Sequence, residues 1–209
     1  MTRKLAVVGG AVGLLVVIAV SAIAPASSAR SDAVARLKDV NGDLVGVVRL
    51  SRTDEGEVAI SVRRAENIQP AGEFHGFHVH MTGECDPDAV DPATEETVPF
   101  YSAGGHFNPD SEIHGDHAGD LPTLLVNDDG TAELSFVTDR FSLKELFDED
   151  GSALIVHAGR DNFANIPATA PDDGRRYHSH LEDVFGPDSL TEATGDAGSR
   201  FACGVVRRT

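Results

Sequence analysis

The sequence has no tryptophan and only two tyrosines, two methionines and two cysteines among its 209 residues. Basic side chains are also scarce, with 17 Lys and Arg against 34 Asp and Glu and a formal net charge of -17 at pH 7. This shortage disfavours nucleic acids and anionic membrane surfaces as partners held by electrostatic attraction. The chain is too short for two full-sized domains, so we expect one core.

Helical periodicity is also lacking beyond residue 30, where apolar residues alternate with polar ones. The runs are short and are bounded by turn signals such as Asn41-Gly42-Asp43 and Asp54-Glu55-Gly56, which favours antiparallel strands and hairpins. Eight candidate strands lie near residues 34–40, 44–50, 58–62, 74–81, 121–126, 131–137, 153–158 and 201–206. Eight short strands predict an all-β fold, an eight-stranded sandwich or barrel.

Three long stretches, residues 82–120, 142–151 and 159–199, interrupt the strand pattern. Loops longer than about 15 residues in a compact domain are usually functional or disordered. In the second stretch, Ser142 followed by Glu145 has the spacing of a capping box and predicts one helical turn.

Residues 1–29 have the composition of an export signal. Arg3 and Lys4 precede an apolar run over residues 5–24, and small residues lead up to Ala29, the expected cleavage point of a signal peptide. An apolar run of about 20 residues can also span a bilayer, so an uncleaved anchor is the alternative. In either case we expect residues 30–209 to fold outside the cytoplasm, in a secreted, cell-envelope or periplasm-like location. No cysteine lies near Ala29, which excludes lipid attachment to an N-terminal cysteine.

Export affects the interpretation of Cys85 and Cys203, because two cysteines in an oxidising compartment usually pair. A disulfide between them would stabilise the fold by roughly 4 to 5 kcal/mol on the chain-entropy estimate. The alternative is two unrelated buried thiols.

Nine histidines are present, and their spacing indicates metal binding. His78 and His80 are two residues apart, so on a strand both imidazoles point to one face and can converge on one ion. His106, His114, His117 and Asp120 lie within fifteen residues and could complete a closed tetrahedral zinc shell. The alternatives are exposed histidines on a strand and incidental histidines in an acidic loop.

Other candidate residues are ambiguous when each is taken alone. His157 ends an apolar run and is either a core residue or a ligand. Asp161 is either a turn aspartate or an acceptor for the N–H groups of ligand imidazoles, and Arg200 is most simply a surface ion pair. His178 and His180 form a second His-x-His pattern in the last long loop, where exposed histidines are the simplest interpretation and a third metal contact is the alternative.

Several ordered motifs together resemble the copper/zinc superoxide dismutases, especially exported bacterial ones. They are GFHVHxxGxC at 76–85, SAGGHFNP at 102–109, the His106–Asp120 run, VHAGRDNFANIP at 156–167 and GDAGSRFACGV at 195–205. The match extends in order over nearly all of the chain after the signal. His114 and His117 are closer together than is usual in this family.

The resemblance implies a Greek-key β-barrel that holds one copper, cycling between Cu²⁺ and Cu⁺, and one Zn²⁺. It implies copper ligands His78, His80, His106 and His157, and zinc ligands His106, His114, His117 and Asp120, so that His106 bridges both ions. It also implies that Asp161 links the two sites through hydrogen bonds, that Cys85 pairs with Cys203, and that Arg200 binds the substrate anion.

The implied function is an exported superoxide dismutase that converts superoxide to dioxygen and hydrogen peroxide, with Arg200 and His106 as catalytic residues. A non-catalytic copper or zinc carrier on the same barrel is the alternative, although it could dispense with Arg200. A hydrolytic zinc site is disfavoured, because Asp120 would fill the position that such a site keeps open for water. Association with a membrane is expected only if the N-terminal segment is uncleaved, and a homodimer is left open.

Overall fold

The computed structural model describes residues 31–169 and 174–209. The expected export signal, residues 1–29, lies outside the described residues. Within the described ranges, no helix combines the length and the apolar character needed to cross a membrane.

The described residues are almost entirely strands and loops. The strands are β1 (Ala33–Asp39), β2 (Leu44–Arg52), β3 (Val58–Ala65), β4 (Phe74–His75), β5 (Phe77–His80), β6 (Leu124–Leu125), β7 (Ala132–Thr138), β8 (Ala153–His157), β9 (His178–Ser179), β10 (Val184–Phe185), β11 (Arg200–Val205) and β12 (Arg207–Arg208). One α-helix, α1 (Ser189–Thr194), and two 3-10 turns, Tyr101–Ala103 and Glu145–Phe147, complete the described elements.

Eight strands form one curled antiparallel sheet in the order β5-β8-β11-β1-β2-β3-β7, with β12 also paired to β1. Strands distant in sequence can therefore be neighbours in the sheet. Strand β1 pairs with β2, the next strand in the chain, on one edge and with the distant β11 on the other. Two separate ribbons, β4 with β6 and β9 with β10, lie outside this sheet. The predicted all-β, eight-stranded Greek-key barrel or sandwich is confirmed.

The core lies on one face of the curled sheet. In β2 and β3 burial alternates, with side chains such as Val48, Leu50 and Ile60 inside and their neighbours outside. In β5 all four residues are buried: Phe77 and Val79 join the core, while His78 and His80 lie on the opposite face beneath the long loops. This strand therefore carries core residues and candidate ligands back to back.

Some strand predictions were wrong in detail. The predicted strand 74–81 divides at Gly76 into β4 and β5, and the predicted strand 121–126 reduces to β6, which pairs with β4 instead of joining the large sheet. The helical turn predicted after Ser142 is present as a 3-10 turn, with the Glu145 carboxylate accepting a hydrogen bond from the Ser142 backbone N–H at 2.7 Å.

The last long loop holds a hairpin, β9–β10, and helix α1, neither of which was predicted. The Asp188 side chain caps α1 by accepting from the Thr191 N–H at 2.9 Å, and Gly195 ends the helix with a φ of 59°. A helix of six residues is too short to produce a visible apolar period.

The predicted disulfide is confirmed: Cys85 and Cys203 are bonded, with Cα atoms 5.7 Å apart. The bond ties the loop after β5 to β11. In that loop, the Phe100 carbonyl accepts a hydrogen bond from Arg200, and the Gly104 carbonyl accepts from Arg200 and His80.

Candidate metal centre

Strand β5 organises the site because both of its edges are occupied. One edge pairs with β8, and the other is covered by the loop that follows, through bridges from His78 to Asp120 and from His80 to His106. The Val79 N–H donates to the Gly119 carbonyl at 2.9 Å. This pairing brings the distant His106–Asp120 run against the two histidines of β5.

The first cluster is formed by His78, His80, His106 and His157. All four rings are buried, and each can offer a ring nitrogen within 4.8 Å of the others. The Nε2 atoms of His80 and His157 are 3.4 Å apart. His78 Nδ1 is buried with no hydrogen-bond partner among the described residues.

In His78, His80 and His157, a hydrogen bond on the side of the ring away from the cluster fixes which nitrogen carries the proton. His80 Nδ1 donates to the Gly104 carbonyl at 2.9 Å, and His157 Nδ1 donates to the Gly198 carbonyl at 3.1 Å. The His78 Nε2–H donates to Asp161 Oδ2 at 2.8 Å. The remaining nitrogens therefore present lone pairs to one another in a buried space. Such an arrangement is costly without a shared cation, and it suits a metal ion with imidazole ligands.

The second cluster is formed by Nδ1 of His106, His114 and His117 and by Asp120 Oδ1. Asp120 Oδ1 lies 3.0, 3.2 and 3.3 Å from these three nitrogens in turn, and His106 Nδ1 lies 3.2 Å from that of His114 and 3.4 Å from that of His117. Four ligands at about 2.0 Å from a tetrahedral zinc would be about 3.3 Å from each other. These donors fit a zinc ion.

His78 also lies within 4.8 Å of His106, His114 and Asp120. The Nε2 of His78 is hydrogen-bonded to Asp161, however, whereas the Nδ1 of His117 lies 3.3 Å from Asp120 Oδ1 and 3.4 Å from His106 Nδ1. We therefore group His117, as a candidate ligand, with the second cluster.

The short interval between His114 and His117 is accommodated by a tight turn. Gly115 has a φ of +94°, and Asp120 Oδ2 accepts from the N–H groups of Gly115 and His117 at 2.7 and 3.1 Å. The Arg140 guanidinium donates to the carbonyls of the same two residues at 3.0 and 2.9 Å. Arg140 has no distinguishing signal in the sequence, so its contact with this loop was missed.

Asp161 lies between the two clusters and accepts a hydrogen bond from one imidazole of each. One oxygen accepts from His78 Nε2 and the other from His114 Nε2, both at 2.8 Å, and all three side chains are fully buried. Gly195, at the end of α1, packs directly on this bridge, where a Cβ atom would collide with Asp161 Oδ1 and His114 Nε2. The His114 N–H donates to the Glu192 carbonyl of α1 at 2.7 Å.

Burial and neighbouring charges set the protonation of these rings. Burial lowers the pKa of His106 to about 4, and it lowers the pKa values of His80 and His157 well below their usual range, with further lowering by Arg200. Burial opposes protonation of His114 too, but hydrogen bonds to Asp120 and Asp161 outweigh it and raise its pKa to about 9.

Burial would raise the pKa of Asp120, yet hydrogen bonds from His106, His114 and His117 hold it far below its usual range. The second cluster therefore includes a carboxylate anion, whereas the first consists of imidazoles alone.

Arg200 is held by backbone carbonyls and forms no ion pair with any residue that the structure describes, contrary to its simplest interpretation from sequence. Its guanidinium donates to the Phe100 carbonyl, and to the Gly104 carbonyl at 2.6 Å, and the Gly104 oxygen also accepts from His80. Arg200 is paired with His157 across β11 and β8. This half-buried cation therefore lies beside the first cluster.

The remaining histidines lie outside both clusters. The His75 ring is fully buried between the carbonyl oxygens of His157 and Pro70, at 2.6 and 2.8 Å. His178 and His180 lie on the β9–β10 hairpin.

The Gly104 and Gly198 carbonyls, which accept from His80 and His157, were not predicted from the sequence, because any residue can supply a backbone oxygen.

Comparisons with known proteins agree with this geometry. The sequence profile described as copper/zinc superoxide dismutase (SODC) matches residues 44–206. A protein from Mycolicibacterium paratuberculosis named superoxide dismutase [Cu-Zn] is 38% identical over 170 residues, which cover 81% of this chain and 71% of the relative. One of the same name from Mycobacterium bovis is 43% identical over 133 residues, 64% of this chain and 52% of the relative, so the match spans about half of that protein.

Among solved structures, the Cu/Zn superoxide dismutase from Brucella abortus superposes with a TM-score of 0.59 at 28% identity, over 83% of this chain and 98% of that one. The profile matches well over half of the chain, and the first relative exceeds 30% identity over most of both proteins. The chain therefore belongs to the copper/zinc superoxide dismutases, a family of oxidoreductases.

Proposed function

We propose that this protein is an exported superoxide dismutase holding one copper and one zinc. The copper ligands would be His78, His80, His106 and His157, and the zinc ligands His106, His114, His117 and Asp120. The observation that carries the proposal is the place of the His106 ring, which belongs to both clusters. Its Nδ1 faces the zinc-type donors, which leaves Nε2 for the copper-type donors.

Copper held by imidazoles would supply one-electron chemistry in both directions, since nitrogen ligands tolerate Cu²⁺ and Cu⁺. The protein's own residues fix the surroundings. Asp161, Gly104 and Gly198 accept from the outer nitrogens and so orient the rings of His78, His80 and His157. His106 Nε2 is the atom that would hold and release a proton for the product peroxide.

Arg200 would attract and orient the superoxide anion. The overall charge of -17 repels an anion at long range, but this repulsion is screened beyond about 8 Å at physiological ionic strength. Close to the site, the guanidinium is fixed by two carbonyls, so it can stabilise developing negative charge without rearrangement.

Export is supported by the disulfide and by the export-signal composition of residues 1–29. The net charge of -17 disfavours a nucleic acid as a partner held by electrostatic attraction.

Metal analysis combined with a superoxide-consumption assay tests the proposal. We expect one copper and one zinc per chain, and we expect His157→Ala to abolish copper-dependent turnover while zinc is retained. Full copper occupancy without turnover in the unaltered protein would contradict the enzyme and favour a metal carrier.

Arg200→Glu tests the anion site. We expect the rate with superoxide to fall by about tenfold or more, because an electrostatic stabiliser is replaced by a repelling charge. Arg63→Glu is the matched control, since it changes the net charge equally at an exposed position on β3. Copper content and melting temperature of both variants would show that the centre remains assembled. Equal rates in the two variants would remove Arg200 from the mechanism.

A further inference from the structure

The second His-x-His pattern, His178 and His180, belongs to neither of the two buried clusters. All nine histidines lie in the described ranges, and the other seven are buried. His178 is half-buried and His180 is exposed. These two are therefore the histidines that a metal ion in solution can reach directly.

The hairpin turns both rings to the same side. His178 begins β9 and pairs with Phe185 of β10, and His180 follows two residues later. The ring centroids are 5.0 Å apart with an interplanar angle of 69°. The rings of His106 and His114 in the zinc-type cluster are also 5.0 Å apart.

This separation suits one shared ion. With a metal–nitrogen bond of about 2.0 Å, each ring centroid would lie about 3.2 Å from the metal. Two centroids 5.0 Å apart then subtend an angle of about 100° at the ion, close to the tetrahedral angle preferred by zinc. The separation of the two rings is therefore compatible with binding to one ion.

Asp183 accepts a hydrogen bond from His178, as Asp161 does from His78 and His114, but the Asp183 side chain is exposed. Its Oδ1 accepts from His178 Nε2 at 2.8 Å, which leaves Nδ1 of His178 with its lone pair. A carboxylate behind a histidine is the usual support for a metal-binding imidazole, because it fixes the ring and increases its basicity.

The surroundings predict a weaker site than the buried centre. The acidic side chains of Glu182 and Asp188 flank the hairpin and attract cations. The guanidinium of Arg175 lies over the Phe185 ring at 4.8 Å, and that of Arg176 lies over the Tyr177 ring at 4.9 Å, so two positive charges oppose them.

We propose that His178 and His180, supported by Asp183, bind an additional, exchangeable transition-metal ion on the protein surface. Two imidazoles accept Cu²⁺ or Zn²⁺, and Cu²⁺ binds such ligands more strongly. The hairpin also connects to the centre: Ser179 donates to Asp188, which caps α1, and α1 contacts His114 through the Glu192 carbonyl.

Calorimetric titration of the full chain, with its centre loaded with copper and zinc and excess metal removed, tests this site. We expect the protein to bind one further equivalent of Cu²⁺, and in a separate titration one of Zn²⁺ with lower affinity. His178→Gln/His180→Gln should lose this equivalent, and Asp183→Asn should weaken it about tenfold or more. Glu55→Gln, which removes one carboxylate from an exposed turn, should have no effect and controls for general attraction of cations.

Electron paramagnetic resonance of the added Cu²⁺ gives a second measurement. We expect nitrogen coupling that disappears in the double variant, while the signal of the buried copper and the superoxide-consuming rate stay unchanged. An unaltered protein that takes up no further equivalent, or a double variant that takes it up with unchanged affinity, would overturn the proposal.

Discussion

Asp161 is a buried carboxylate that links one histidine of each candidate metal cluster. Its two oxygens reach His78 and His114, which are ligand candidates in different clusters and come from different segments of the chain. Burial would raise the pKa of Asp161, but hydrogen bonds from His114 and His78 keep it well below its usual range. The side chain is therefore an acceptor for both rings, and it links their positions.

Asp161→Asn should weaken metal binding. The amide has one oxygen and one NH₂ group, so one of the two ring N–H groups would face a donor, and its histidine would turn away or change tautomer. Loss of such support typically costs 10- to 100-fold in metal affinity, which competition with a chelator and metal analysis would measure. Asp196→Asn is the matched control, because Asp196 accepts from Asn162 and Thr191 and contacts no imidazole. Unchanged retention of both metals in Asp161→Asn would contradict the linking role.

The buried histidines also predict how the metal-free protein responds to acid. The pKa values of His78, His80, His106 and His157 are lowered in the folded state, so below about pH 6.5 the unfolded chain binds protons that the folded chain does not. Each group then reduces stability as the pH falls, by at most about 1.4 kcal/mol per pH unit. The raised pKa of His114, about 9, has the opposite effect: its contribution is complete below pH 6.5 and is lost as the pH rises to 9.

We therefore expect the urea midpoint of the metal-free protein to fall steeply from pH 6.5 to pH 5. The double variant His178→Gln/His180→Gln should show the same fall, since neither ring belongs to the buried clusters. A midpoint that stays constant over this range would show that the four buried rings do not remain neutral in the folded state.

Among the structural elements, the loop from His106 to Asp120 carries all four donors of the zinc-type cluster and has little regular structure of its own. It is held by pairing with β5, by the Asp120 carboxylate and by Arg140, which follows β7. The Arg140 side chain, at the opposite edge of the sheet from β5, thus fixes the carbonyls of Gly115 and His117.

Arg140→Gln should accelerate zinc release. The variant loses two charged hydrogen bonds to the Gly115 and His117 carbonyls, each worth about 1.5 to 3 kcal/mol, so we expect zinc to dissociate about tenfold faster or more. Zinc transfer to a chromogenic chelator measures the rate. Arg52→Gln, at an exposed position at the end of β2, is the control. Equal release rates in the two variants would show that the loop does not depend on Arg140.

For the molecule as a whole, the Cys85–Cys203 bond connects the loop that fixes Arg200 and His80 to the strand that carries Arg200. The disulfide closes a segment of 118 residues. It therefore contributes to overall stability and also to the position of the cation beside the first cluster.

Cys85→Ala/Cys203→Ala should lower the free energy of unfolding by about 2 to 5 kcal/mol, measured by denaturant titration of the metal-loaded protein. We also expect a slower reaction with superoxide under conditions where the variant is fully folded, because the carbonyls that fix Arg200 become less constrained. A variant with lower stability but an unchanged rate would restrict the disulfide to a structural role.

The sequence by itself determined the fold class, the pairing of the cysteines and the set of residues that could bind metal. The fold class follows from period-2 alternation, the candidate pair His78 and His80 from spacing on one strand, and the cysteine pairing from the export signal. The complete set of candidate ligands, with His157, came from the resemblance of several ordered motifs to one family. The His106–Asp120 run was equally visible, because its candidate ligands are close in sequence.

Only the tertiary structure decided how these segments meet. The Gly104 and Gly198 carbonyls, Gly195 and Arg140 gain their roles from pairing between distant strands and loops, and backbone oxygens or a lone arginine leave no pattern in a single sequence. The tertiary structure also placed the second His-x-His pattern on a surface hairpin, away from the buried clusters. Long-range contacts decide such roles because the polar partners of a buried group can come from any part of the chain.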